Sequence, residues 1–224
     1  MRVYRATLWN VLGVNSYFVI DEETKHGFAV DPGGMPERLL GAVRDQGWVI
    51  EKILLTHGHF DHIGAVDALR SALGIPVMIH EKGLKYLLDP EWNLSAEHGM
   101  PGGYGRSAGP GGIHGRGIVV EGAETFREGD RIALASDPEK YLSVLHTPGH
   151  TEDGCTFYCA SDGFALTGDT IFRGTYGAVH FPGGDEETLL RSIREKILSL
   201  PDDTVLYPGH NSETTVAAEK WLYM

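Results

Sequence analysis

Thr56-His57-Gly58-His59-Phe60-Asp61-His62 packs three imidazoles and a carboxylate into six consecutive positions. Imidazole and carboxylate without thiolate form a ligand set for a divalent transition metal. Four such groups so close together are hard to satisfy on one tetrahedral ion. Two metals side by side are the closer fit, and that arrangement suits bond cleavage by a metal-activated water. Three later segments match the first in kind: His146-Thr147-Pro148-Gly149-His150-Thr151, Thr167-Gly168-Asp169-Thr170 and Tyr207-Pro208-Gly209-His210. Each follows an apolar run and sits beside Gly or Pro, as expected of ligands presented on loops by a rigid scaffold.

The elements that must position these loops can be read around them. Val14–Ile20, Gly27–Val30, Ile50–Leu55, Pro76–Ile79, Arg131–Ala135, Leu142–His146, Gly154–Cys159, Phe164–Thr167 and Asp203–Tyr207 read as strands. The spacing of Leu39, Leu40 and Val43 predicts a helix over 36–46. Ile63, Val66, Leu69 and Leu73 predict one continuous helix from Asp61 to Leu73, closed by Gly74. Asp185 reads as the N-cap of a helix whose apolar face is Leu189, Leu190, Ile193 and Ile197. Two runs of strands mixed with helices predict two packed sheets with helices outside. Nearly half of residues 99–117 are Gly, and no periodicity survives there. That stretch reads as an insertion loop over the site rather than as a domain linker.

Composition bounds the rest. The chain has 224 residues and a formal net charge of −12, which argues against a broad phosphate-binding face and so against nucleic acid as a partner. No apolar run reaches membrane-spanning length and the N-terminus lacks a signal-peptide core, so a cytoplasmic protein is expected. Cys155 and Cys159 lie four residues apart on one strand, roughly 13 Å, too far for a disulfide, and are expected as buried thiols.

The four motifs, in this order, resemble the metallo-β-lactamase superfamily, and within it the glyoxalase II-like (hydroxyacylglutathione hydrolase-like) thioester hydrolases. The resemblance runs from about Asn15 to Thr215. It implies an α/β, four-layered αββα sandwich in a single domain. It implies that His57, His59 and His150 hold one metal, that Asp61, His62 and His210 hold a second, and that Asp169 bridges them. Asp61 and Asp169 are then catalytic as well as ligating, and Asp31 and the threonines beside the ligands support them. Two divalent ions are implied, zinc first, with iron or manganese also suited to His/Asp sets. The implied reaction is hydrolysis of a small thioester or related acyl ester, with a metal-bound hydroxide as nucleophile. Each His could instead be a plain structural residue, and Asp61 could simply cap a helix. A mononuclear iron persulfide dioxygenase and a lactonase of the same superfamily are the alternatives. Asp169, where well-known zinc β-lactamases carry Cys, makes antibiotic hydrolysis a poor expectation.

The chain also departs from the family. In Phe172–Gly184 the positions of Ala178 and His180 often carry a basic residue and an Asp or Tyr. The chain stops at Met224, where glyoxalase II continues into a helical glutathione-binding domain. Both features point away from glutathione thioesters as the preferred substrate. Tyr176 and His180, with Tyr104 and Arg106 in the Gly-rich loop, are the candidate contacts for a small-molecule substrate. His146 reads as a strand-end structural group, and His26 and His80 as exposed or locally bonded. The sequence leaves the oligomeric state open.

Overall fold

The computed structural model describes residues 1–8, 13–96 and 117–223. Among these described residues, twelve strands form two six-stranded sheets. The first takes β1 (Arg2–Leu8), β2 (Val14–Ile20), β3 (His26–Val30), β4 (Val49–Leu54), β5 (Val77–His80) and β6 (Glu124–Phe126) in chain order. The second runs β12 (Thr214–Thr215), β11 (Val205–Pro208), β10 (Phe164–Gly168), β9 (Cys155–Cys159), β8 (Tyr141–His146) and β7 (Arg131–Ala133). The β1–β2–β3 meander is antiparallel and β3 through β6 are parallel. In the second sheet only β10 and β11 pair in parallel.

The alternation of side chains along the strands builds the layers. Tyr17, Val19, Phe28, Val30 and Leu54 point inward and meet Leu142, Val144, Phe157, Phe164 and Leu166 from the opposing sheet. Cys155 and Cys159 belong to this central layer as buried free thiols, as expected. The other faces of the same strands carry Phe18, Ile20, Ala29 and Ile53. These pack on Leu39 and Val43 of α1 (Pro36–Gln46) and on Val66 and Leu69 of α3 (Val66–Leu73). Ala165 and Leu206 face the opposite way, onto Leu189 of α5 (Glu186–Ser192), Ile193 and Ile197 of the π turn that extends it, and Val216 of α6 (Val216–Tyr223). The result is the αββα sandwich. Burying each large side chain here contributes about 1.5–3 kcal/mol before entropy is counted. No helix among the described residues is long and apolar enough to cross a membrane.

Two elements differ from the expectation. The helix predicted over 61–73 is broken into α2 (Phe60–Ile63) and α3, with Gly64 and Ala65 between. The break is a packing effect: Ala65 N–H donates to Pro32 O, and a Cβ at Gly64 would collide with the Gly33 carbonyl. Arg2–Leu8, given no element from sequence, is the edge strand β1. It is paired with β2 along its whole length and half exposed. Asp185 caps α5 as expected, accepting from Thr188 N–H at 2.8 Å.

Candidate metal centre

Four loops leave the C-terminal ends of β4, β8, β10 and β11 and converge at one end of the two sheets. The short α4 (Leu84–Leu88) lies beside them. They bring all seven predicted side chains together. Ligand-type atoms of His57, His59 and His150 lie within 4.8 Å of one another, and so do those of His57, His62 and Asp169, and those of Asp61, His62 and His210. Asp169 faces both sides. Its Oδ2 is 3.6 Å from His150 Nε2 and 3.5 Å from His210 Nε2, and its Oδ1 is 3.3 Å from His62 Nε2. Asp61 Oδ2 is 3.2 Å from His210 Nε2. Asp61 is therefore no helix cap: the N-cap of α2 is His59.

The scaffold holds each group from behind. Asp31 accepts from Thr56 N–H at 2.8 Å and from the Thr56 hydroxyl at 2.6 Å, and its Oδ2 lies 3.0 Å from His62 Nδ1. This pairing places a proton on His62 Nδ1 and turns Nε2 toward Asp61 and Asp169. His150 Nδ1 donates to the Ala178 carbonyl at 2.6 Å, which bares its Nε2. The His210 loop is tied to the first sheet through Asn15, whose Nδ2 donates to Pro208 O and Asn211 O, and through the Tyr17 hydroxyl, which donates to Pro208 O. Cys155 N–H donates to Thr56 O at 2.9 Å and joins the first and second ligand loops. Gly209 is required by close approach: a Cβ there would collide with Asp169 Oδ1 and lie 2.6 Å from His62 Cε1.

The electrostatics fit a cation. Burial, helped by neighbouring imidazoles, holds His57 well below the usual histidine range, and burial with His150 brings His59 down to about 3. On the other side burial works against protonation, but Asp61 and Asp169 outweigh it and hold His62 well above its ordinary value. Asp169 overcomes burial in the same way at His210, which is pushed up to about 9. Burial also opposes ionisation of Asp169, yet His62 and His210 hold its carboxyl well below the usual carboxylate range. The buried Nε2 atoms of His57, His59 and His62 and Oδ1 of Asp169 have no hydrogen-bond partner. Buried polar atoms without hydrogen bonds of good geometry are costly unless a ligand satisfies them, and this donor set suits a divalent transition metal.

The predicted substrate contacts fare differently. Tyr176 packs on the α5–α6 side of its loop, with its hydroxyl on Glu186 at 2.5 Å and its ring 6.3 Å from Tyr223. The neighbouring Gly177 packs tightly against the Asp169 carbonyl. His180 is exposed, its ring tilted against that of Phe181 at 4.1 Å, and Phe181 in turn faces His59 and His150 at 5.6 and 6.0 Å. Tyr104 and Arg106, and the Gly-rich loop apart from Gly117, lie outside the described residues. The sequence reading did not single out Phe172, whose ring lies 5.7 Å from His210, or Phe181. Their place in the Phe172–Gly184 segment was the available signal. His80 is locally bonded, its Nδ1 accepting from Lys82 N–H at 3.3 Å, and it is also buried and stacked at 4.0 Å on His146. His146 is the strand-end structural group expected, and His26 is locally bonded to Glu51.

Comparison with known proteins agrees with the site. The family model for the metallo-beta-lactamase superfamily matches residues 9–210. The "Probable metallo-hydrolase YqgX" of Bacillus subtilis is 35% identical over 92% of this chain and 89% of its own length. The hydroxyacylglutathione hydrolase GloC of Haemophilus influenzae is 32% identical over the same shares. Among solved structures, BLEG-1, a B3 metallo-beta-lactamase, superposes with a TM-score of 0.83 at 32% identity over 97% of this chain and 96% of the other. TTHA1623, solved in a di-iron-bound form, gives 0.78 at 32% identity over the same shares. The chain belongs to the metallo-β-lactamase superfamily, and its His/Asp cluster is the candidate metal-binding site of a metallo-hydrolase fold.

Proposed function

We propose that this chain is a dinuclear metal-dependent hydrolase of a small thioester or related acyl ester. The observation that carries the reading is the position of Asp169, whose carboxylate faces His150 on one side and His62 and His210 on the other. His57, His59 and His150 would hold one cation, Asp61, His62 and His210 the other, and Asp169 both. Two divalent cations bound there supply Lewis acidity and ionise water near neutral pH. Zinc is the first choice, and the di-iron form of TTHA1623 makes iron the alternative.

The chain's own residues account for the rest. Asp31 fixes the His62 tautomer and is itself held by Thr56. The Ala178 carbonyl does the same for His150. Phe181 against His59 and His150, and Phe172 against His210, put apolar walls beside the imidazoles. Such walls lower the local dielectric and strengthen charge interactions with a reacting carbonyl. Similarity to GloC supports a thioester substrate. Similarity to BLEG-1 keeps a β-lactam in the test panel, although Asp169 argued against it from sequence. The test is turnover of the metal-loaded protein on S-lactoylglutathione, short acyl thioesters, a lactone and a β-lactam. Thioester cleavage that exceeds the others and is lost in Asp169→Ala supports the reading; turnover of the β-lactam alone rejects it.

A further inference from the structure

We propose that Asp153 is a positioning residue, a buried polar wedge that holds the peptide between His57 and His59 so that the first three imidazoles keep ligand spacing. The proposal rests on the metal reading above. Asp153 lies in the turn between His150 and β9 and is fully buried. Its carboxyl fills a crevice between two residues without side chains. A Cβ at Gly83 would lie 2.8 Å from Oδ2, and one at Gly58 would lie 3.5 Å from it. Gly58 is the residue between the two histidines. The wedge thus spans the first ligand loop, the start of α4 and the loop that carries His150.

Tyr86 on the Gly58 side and Ile79 on the Gly83 side also line the crevice. The Gly58 amide and the Thr151 hydroxyl face the carboxyl. These donors close no hydrogen bond of good geometry with either carboxyl oxygen. Burial pushes the Asp153 carboxyl up to about 7. A buried carboxyl without hydrogen bonds of good geometry costs free energy wherever a smaller or apolar side chain would serve. Its presence beside Gly58 is explained if it restrains that peptide. The same region is closed by Tyr86, whose hydroxyl accepts from Glu152 N–H and donates to Pro182 O, and whose ring lies 6.1 Å from that of His59. Asp153 is therefore clamped from outside, and the restraint it exerts is directed at the ligand loop.

The experiment is titration of the metal-free chain with zinc alone against a chromophoric competitor, for the parent, Asp153→Asn, Asp153→Ala and Asp153→Leu. Asn keeps the shape and the polarity, Leu keeps the bulk without polarity, and Ala empties the crevice. The expected result is zinc affinity within about threefold of the parent for Asn, and a loss of roughly 10–100-fold for Ala and Leu. Loss in Leu with rescue in Asn separates positioning from simple filling of space. Should Ala fail to fold, Leu against Asn carries the comparison. Parent-like zinc affinity in Leu or Ala, or a loss in Asn equal to that in Leu, overturns the proposal. A parent chain that binds no zinc overturns the metal reading instead.

Discussion

Nδ1 of His59 lies 2.9 Å from Nε2 of His150. His150 already gives its Nδ1 proton to the Ala178 carbonyl, so its Nε2 presents a lone pair to His59. If His59 fills the gap with its own proton, its Nε2 is left bare in a buried site, and that atom has no partner. A cation held by the two facing nitrogens would take the place of the shared proton. The metal reading is thus a statement about which atoms lack protons, and its consequences can be measured.

The first concerns Asp31. Its carboxylate is oriented by two hydrogen bonds from Thr56 and orients His62. Asp31→Asn removes the charge that fixes the His62 proton on Nδ1. Metal affinity is expected to fall roughly 10–100-fold, with the fold intact. Competition titration with a chelator, alongside circular dichroism, checks both parts.

The second concerns Gly209. A methyl group there meets Asp169 Oδ1 and His62 Cε1. Gly209→Ala is expected to destabilise the metal-free chain by about 1–3 kcal/mol through overpacking. It should also lower metal occupancy, because the displaced groups are two of the seven. Urea denaturation and metal analysis of the same sample test this.

The third concerns protons. In the metal-free chain His210 has its pKa raised to about 9 by Asp169 and Asp61 against the opposing effect of burial. Ligation requires the neutral ring, so below that pH metal binding must expel its proton. Apparent affinity is expected to rise with pH up to about 9 and then flatten. Calorimetry in two buffers of different ionisation heat should show proton release at pH 7.5. The same shift gives a stability sign. Metal-free His210 contributes stability that is fully present below the unfolded value of 6.5 and is lost as pH rises through about 9.

Much of this site was legible because metal ligation needs particular atoms, and those atoms occur in few residue types. His57 through His62, His150, Asp169 and His210 could be named from type, spacing and neighbouring Gly or Pro. The strands were legible for a related reason: Tyr17 and Val19 face one layer while Phe18 and Ile20 face the other. What stayed hidden depends on tertiary contact. The break at Gly64 is set by the Gly33 carbonyl, about thirty residues away in the chain. β1 is half exposed, so its apolar pattern is weak, and its pairing with β2 supplies what propensity does not. Thr151-Glu152-Asp153-Gly154 is a polar stretch, and nothing local says that Asp153 is buried. Tyr176 lies in the Phe172–Gly184 segment, and nothing local says that its hydroxyl meets Glu186 of α5.

The most direct test is the metal content of freshly purified parent protein beside Asp169→Ala, by elemental analysis. The expected result is close to two transition-metal ions per parent chain, with a loss of metal in the variant because one carboxylate faces both halves of the cluster. A parent chain that carries no metal and takes up none on incubation with zinc or ferrous iron would contradict the account.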